Sequence, residues 1–100
     1  MNKKKIKIGI LGCGRVCQHY IEKIFISDRV GSLYQVVACC DVDMKKSSYV
    51  GNMFSCKSYS SIEEFVRHHG MEVVVILTKS GQHYQHAKTC LANNLNIIVE

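Results

Sequence analysis

Short apolar runs alternate with segments of helical periodicity along most of this chain. Four runs lack a helical pattern and are predicted to be strands: residues 5–11, 33–40, 72–78 and 95–99. The run at 72–78 is apolar without alternation, as expected for a central parallel strand that is covered on both faces. A further short strand is predicted at Cys56 to Tyr59. Because strands and helices alternate, we expect right-handed crossovers and an α/β fold, a doubly wound parallel sheet of about five strands with helices on both faces.

Helical spacing and capping residues predict the helices between these strands. After Arg15, one stripe of apolar residues is expected to be buried, and it ends before Ser27: Val16, Cys17, Tyr20, Ile21, Ile24 and Phe25. Residues 27–32 form a connection. Asp43 is the expected N-cap of a short, weakly amphipathic second helix that extends to Phe54.

The second half of the chain predicts two more helices. Ser61 and Glu64 form a capping-box pattern, and the helix they begin continues through His69 to a left-handed stop at Gly70. Another helix opens at Ser80 or Gly81 and ends at Asn93-Asn94. Its inner face is expected to consist of Tyr84, Ala87 and Leu91.

The stretch KIKIGILGCGRVC, residues 5–17, places a glycine turn between the first strand and the first helix. Gly12 and Gly14 permit a tight turn and the close approach of a dinucleotide pyrophosphate, whose charge is offset by free amides at the helix N-terminus. Cys17 holds the third fingerprint position, where a small residue is needed. Dinucleotide binding is therefore the first functional hypothesis.

Asp41, at the end of the second strand, strengthens this hypothesis. An acidic residue there binds the adenosine ribose hydroxyls and repels a 2′-phosphate, which favours NAD over NADP. Asp41 follows Gly14 by 27 residues, more than the usual interval of about 20, and the connection at 27–32 absorbs the difference. Asp43 could share the role, although helix capping suits it better.

Other interpretations of the same residues are weaker. Gly9 to Gly14 has the glycine spacing of a P-loop, but Arg15-Val16 replaces the Lys-Ser/Thr pair that holds phosphates and magnesium. A methyltransferase also ends its second strand with an acid. His83, His86 and Cys90 could face a metal from one side of a helix, but no fourth ligand is visible, so no metal site is predicted.

Composition restricts the functional classes. The 100 residues make one domain and carry a net charge of +5, largely from scattered lysines, with no pattern of nucleic-acid recognition. No apolar run approaches the length of a membrane span, and no secretion signal is recognised. The six cysteines are therefore expected to be reduced thiols of a cytoplasmic protein. Cys13, inside the glycine turn, is more simply a filler residue than a reactive thiolate.

Three segments, GILGCGRV, VVACCDVD and VVVILTKSGQHYQHAKTCLANNLNIIVE, resemble the N-terminal Rossmann domain of the Gfo/Idh/MocA oxidoreductases. The resemblance covers nearly the whole chain. In that family the fourth strand leads into Thr-Pro-Asn/Ser-x-x-His and the fifth ends in Glu-Lys-Pro. Here Lys79 replaces the proline, Cys17 replaces a common alanine and Asn94 replaces a common glycine.

The resemblance implies a parent enzyme that transfers a hydride between a nicotinamide and a hydroxyl of a sugar, cyclitol or sugar nucleotide. The family's catalytic lysine and C-terminal substrate domain would follow Glu100, so residues 1–100 are expected to hold NAD without catalysing alone and to contain no catalytic residue. The parent is expected to form a homo-oligomer. The alternative is a domain that senses NAD, or serves as a scaffold, without turnover.

The glycine turn, the second-strand acid and the family motifs together give a set of residues expected to contact the cofactor. Thr78, Ser80 and His83 would approach the nicotinamide side. The full set is Gly12, Cys13, Gly14, Arg15, Val16, Asp41, Thr78, Ser80, His83 and Glu100.

Overall fold

Five parallel strands form one sheet in the computed structural model, which describes residues 5–25 and 33–99. The strands are β1 (Ile6–Leu11), β2 (Tyr34–Cys40), β3 (Lys57–Tyr59), β4 (Val73–Ile76) and β5 (Asn96–Val99). Their order across the sheet is β3-β2-β1-β4-β5, and every neighbouring pair is parallel. The predicted doubly wound α/β fold is confirmed, and the order reverses beside β1, where such sheets bind their ligands.

Helices cover both faces of the sheet. They are α1 (Arg15–Tyr20), which continues as a π-helix over Ile21–Phe25, α2 (Met44–Phe54), α3 (Ile62–Phe65) and α4 (His83–Ala92), which a 3₁₀ turn at Ser80–Gln82 precedes. Cys17 and Ile21 of α1 and Val50 of α2 pack against one face. Phe65 of α3 and Cys90 of α4 pack against the other.

Strand β1 lies at the centre of both cores. Ile8 and Ile10 point to the α1/α2 side, and Leu11 points to the α3/α4 side. Gly9 also faces the second side, where a Cβ atom would lie 2.8 Å from Cζ of the fully buried Phe65. A glycine at this position is what lets the Phe65 ring lie against the sheet.

The predicted caps are found in the structure. Asp43 Oδ1 accepts a hydrogen bond of 3.0 Å from the Lys45 amide at the start of α2. Ser61 Oγ accepts one of 3.4 Å from the Glu64 amide at the start of α3. Asn94, with φ of 61°, adopts the left-handed conformation expected after α4. These short polar residues fix where the helices begin and end.

Helix α3 is shorter than its sequence pattern suggested. It was expected to continue through His69, but the helix ends at Phe65. The chain then tightens into three-residue turns, in which the Arg67 and His68 amides donate to the carbonyls of Glu64 and Phe65. The His68 ring shares a 2.8 Å hydrogen bond with the Tyr59 hydroxyl, which draws the segment towards β3.

The expected inner face of α4 is confirmed at Ala87 and wrong at Tyr84 and Leu91. Tyr84 and Leu91 are 72% and 57% exposed, whereas Cys90 is fully buried and Ala87 packs beside it. The two candidate faces have the same helical spacing, so periodicity alone did not distinguish them. The small side chains of Ala87 and Cys90 face the core, and the bulky ones face outward.

The expected stripe of α1 is confirmed only in part. Cys17 and Ile21 are buried and Tyr20 packs beside them, but Val16 is 45% exposed. Val16 is the second residue after the glycine turn and lies at the open end of the sheet instead of under it. The side chains of Ile24 and Phe25, and the predicted connection at 27–32, lie outside the described residues.

Candidate functional site

The glycine turn joins β1 to α1 and is held close to the end of β4. Gly12 has φ of 103°, and a Cβ atom on it would lie 2.8 Å from the carbonyl carbon of Leu77 and from the Thr78 nitrogen. Its amide donates a 2.8 Å hydrogen bond to the Cys40 carbonyl of β2. Conformation and space therefore both require glycine at this position.

Gly14, by contrast, is not required by the φ angle at this position or by the space around it. It is the N-cap of α1, with φ of −90°, and makes no side-chain cap. Among the described residues, the nearest atom to a Cβ built on Gly14 is Lys46 Nζ, 4.0 Å away. The first helical hydrogen bond runs from the Gln18 amide to the Gly14 carbonyl, so the preceding amides of α1 face an open space. An anion can approach them without meeting a side chain.

Asp41 follows β2 and points back to the glycine turn. Its Oδ2 accepts a 2.8 Å hydrogen bond from the Cys13 amide, and its Oδ1 accepts one of 2.9 Å from the Asp43 amide. The Asp41 amide donates to the Tyr59 carbonyl, which fixes the backbone as well. A carboxylate has about four acceptor positions, so each oxygen keeps capacity for a ligand hydroxyl.

These groups border one cleft of about 540 Å³ at the carboxyl ends of β1, β2 and β4. Arg15, Lys46 and Lys79 contribute cationic side chains to its lining, and Asp41 and Asp43 contribute carboxylates. Further lining comes from Gly12, Gly14, Val16, Thr78, Gln82 and His86. The cleft thus combines cations, free helix amides and one ordered acid, as a dinucleotide requires.

Thr78 is held by two histidines on successive turns of α4. His83 Nε2 donates to the Thr78 carbonyl, and His86 Nδ1 shares a 2.8 Å hydrogen bond with Thr78 Oγ1. His86 lines the cleft, while His83 does not. Burial, together with the neighbouring His83, lowers the pKa of His86. His86 is therefore a neutral ring at pH 7.

Cys13 contributes its backbone to the site, and its side chain belongs to the core. The thiol is buried on the α1/α2 side and contacts the Cys40 carbonyl at 3.5 Å. Hydrogen bonding with Cys17 and Cys39, together with burial, raises the pKa of Cys13. The structure therefore favours the filler role over a reactive thiolate. All six cysteines are unbridged.

The structure brings together most of the residues expected to contact a cofactor. Six line the cleft: Gly12, Gly14, Arg15, Val16, Asp41 and Thr78. His83 lies behind Thr78. Ser80 begins the 3₁₀ turn, but its side chain is outside the described residues, as is the whole of Glu100.

Sequence reasoning missed four polar residues of the lining, namely Lys46, Lys79, Gln82 and His86. Lys79 and Gln82 lie in the loop and the 3₁₀ turn that follow β4, a region that the rule for ligand sites in such sheets would have included. Lys46 and His86 sit on helices, and only the fold shows that they face the cleft.

The described residues also bear on metal binding and on membrane insertion. Within residues 5–25 and 33–99, no group of three or more His, Cys, Asp or Glu side chains is arranged to hold a metal ion. None of the helices in this part of the chain is long and apolar enough to cross a membrane.

Comparison with known proteins agrees with this geometry. The family GFO_IDH_MocA, described as "Oxidoreductase family, NAD-binding Rossmann fold", matches residues 6–100. No curated protein sequence matches the chain.

Solved structures of low sequence identity share the fold. The WlbA dehydrogenase of Bordetella pertussis, in complex with NADH and UDP-GlcNAcA, superposes with a TM-score of 0.85 at 22% identity, over 96% of this chain and 29% of its own. The scyllo-inositol dehydrogenase of Lactobacillus casei, with NAD(H) and scyllo-inositol, gives 0.82 at 22% identity, over 96% and 28%.

A third neighbour differs in its cofactor. It is an oxidoreductase of Desulfitobacterium hafniense described as NADPH-dependent, and it gives a TM-score of 0.84 at 18% identity, over 95% of this chain and 26% of its own. The chain thus spans less than a third of the length of the structures it resembles.

Proposed function

The chain belongs to the Gfo/Idh/MocA family of oxidoreductases and carries its NAD-binding Rossmann domain, and on this basis we propose that it holds NAD for hydride transfer to or from a hydroxyl of a sugar, cyclitol or sugar nucleotide. The observation that carries the proposal is the position of Asp41, whose carboxylate is hydrogen-bonded to the glycine turn at the rim of the cleft. Bound nicotinamide would supply the hydride chemistry.

The residues present fit such a cofactor. The open space at Gly14 and the free amides of α1 suit the pyrophosphate, with Lys46 as a nearby cation. Asp41 suits the adenosine ribose, and its negative charge would repel a 2′-phosphate. The order of the strands supports a position of the nicotinamide half towards β4, where Thr78 lies. Ser80, His83 and Glu100 join this half of the site by their match to the family motifs.

We further propose that the reacting hydroxyl and its acid/base group are supplied by a substrate domain that residues 1–100 do not include. The solved neighbours are more than three times as long as this chain, and those crystallised with substrates hold UDP-GlcNAcA or inositols. Residues 1–100 would then bind NAD without turning it over. The unbridged thiols support a reducing, cytoplasmic setting, and a homo-oligomeric parent is proposed on the family resemblance alone.

Calorimetric titration with NAD and NADP tests the cofactor assignment. The wild-type chain is compared with Asp41→Asn, which keeps the side-chain shape, and with Glu63→Gln, which removes an exposed carboxylate that does not line the cleft. We expect the wild type and the control to prefer NAD. In Asp41→Asn the affinity for NAD should fall about tenfold or more and the preference should disappear, because a charge-assisted hydrogen bond contributes about 1.5–3 kcal/mol.

Two results would contradict the proposal. If neither cofactor binds to the wild-type chain, the cleft is not a dinucleotide site. If Asp41→Asn binds both cofactors as the wild type does, Asp41 does not contact the ribose. A chain that binds NAD and is also found to lack a partner domain in its parent protein would instead be a sensor or scaffold.

A further inference from the structure

The end of the cleft at β4 carries a titratable ring that the cofactor assignment does not use. His86 lies on the second turn of α4, and its Nδ1 is occupied by Thr78 Oγ1 at 2.8 Å. The Thr78 carbonyl is held separately by His83. Thr78 therefore holds the His86 ring in place on the wall of the cleft. Because Nδ1 is already hydrogen-bonded, a ligand would contact the ring at Nε2 or at its edge.

The order of the strands fixes which half of a dinucleotide lies near His86. Asp41 follows β2, the glycine turn follows β1, and Thr78 follows β4. Since β1 lies between β2 and β4, a dinucleotide with its ribose on Asp41 and its pyrophosphate on the turn has its other half beside Thr78 and His86. Under the proposed function, that half is the nicotinamide.

We propose that His86 is a proton-dependent specificity residue, whose protonated ring makes the cleft favour the reduced cofactor over the oxidised one. This inference rests on the proposed function. The two cofactor forms share every other group, but the oxidised nicotinamide carries a positive charge and the reduced one is neutral. An imidazolium beside the ring would repel only the oxidised form.

Of the residues that line the cleft, His86 is the histidine, and its ring can gain a positive charge as the pH falls. The other charged or titratable groups that face it are those of the cleft and of α4, namely Arg15, Asp41, Asp43, Lys46, Lys79 and His83. Of these, His83 lies behind Thr78 and outside the cleft lining.

The sign of the effect follows from linkage. Burial and the neighbouring His83 lower the pKa of His86, so the ring gains its charge only as the pH falls below the ordinary imidazole range. Proton binding and binding of the oxidised cofactor then oppose each other, and each weakens the other by the same factor. Between pH 7.5 and 5.5 the ratio of the dissociation constant of NAD⁺ to that of NADH should rise about twofold to tenfold.

The experiment measures both dissociation constants across this pH range in three proteins. They are the wild type, His86→Gln and the matched control His68→Gln. His68 is also half-buried and also shares a 2.8 Å hydrogen bond from Nδ1 to a hydroxyl, that of Tyr59, but it does not line the cleft. Proton NMR titration of the histidines in the free and the two bound states gives the pKa of His86 directly.

We expect the ratio to rise on acidification in the wild type and in His68→Gln and to stay constant in His86→Gln. The pKa of His86 should be lower with NAD⁺ bound than with NADH bound. A ratio that does not change with pH in the wild type, or that still changes in His86→Gln, overturns the inference and leaves the NAD assignment intact. If neither cofactor binds at any pH, both the proposed function and this inference fail.

Discussion

A methyl group on Gly14 should separate cofactor binding from folding. At this residue φ is −90°, which any residue can adopt, and among the described residues the nearest atom to a Cβ would be Lys46 Nζ at 4.0 Å. Alanine is a poorer N-cap than glycine, but it also restricts the unfolded chain by about 0.4–1 kcal/mol. These two effects nearly cancel, so Gly14→Ala should change the free energy of unfolding by less than about 1 kcal/mol.

The cofactor should respond much more strongly. The new methyl group occupies the space through which a phosphate reaches the first amides of α1. Loss of one charge-assisted hydrogen bond costs about 1.5–3 kcal/mol, so we expect the affinity for NAD to fall about tenfold to a hundredfold. Calorimetric titration measures the affinity, and urea unfolding followed by circular dichroism measures the stability.

Two further glycines serve as comparisons. Gly81→Ala places a methyl group where no atom of the described residues, apart from its chain neighbours, lies within 4 Å, and it should alter neither property. Gly12→Ala forces alanine into a φ of 103° and against the backbone of Leu77 and Thr78, so it should lower the stability of the fold itself. The reasoning fails if Gly14→Ala binds NAD as the wild type does, or if it unfolds as Gly12→Ala is expected to.

Two more substitutions test the cleft and the core. Lys46→Ala should weaken NAD binding about twofold to fivefold, and the loss should shrink as salt is added, because salt screens a partly solvated charge. Calorimetry at two ionic strengths measures this. Lys45 does not line the cleft, so an equal loss of affinity in Lys45→Ala would argue against a local contact of Lys46 with the cofactor. Gly9→Ala should destabilise the fold by about 1–3 kcal/mol in urea unfolding, since its Cβ atom would overlap Met71 Sδ and press on the buried Phe65 ring. A stability equal to that of Gly81→Ala would show that both side chains can move aside.

The strands and caps were predictable because their causes are local. The run EVVVILT shows no alternation of apolar and polar residues, which predicts a strand that is covered on both faces. Asp43 and Ser61 accept hydrogen bonds from amides that lie two and three residues further along the chain. The length of α3 and the phase of α4 depend on distant partners. The hydrogen bond between His68 and Tyr59 and the burial of Cys90 against the sheet exist only once the chain has folded.

The candidate site divides in the same way. The glycine turn and Asp41 could be found from the sequence because the turn follows the first strand and Asp41 follows the second. One crossover helix separates them, so their spacing along the chain falls within a narrow range. Lys46 and His86 could not, because each comes from a helix whose rotation about its own axis decides whether it reaches the cleft. His86 in particular has its partner Thr78 at the end of a strand that the sequence alone does not orient.

The two amide contacts of Asp41 also affect how a ligand would bind. Because the carboxylate is already held by the amides of Cys13 and Asp43, its rotamer is chosen when the protein folds. A ribose arriving at the site would meet an acceptor in a fixed direction, and the entropy of ordering that side chain would not be subtracted from its affinity. The glycine turn and the end of β2 would also keep their relative position in the absence of cofactor, so the site is preorganised by its own backbone.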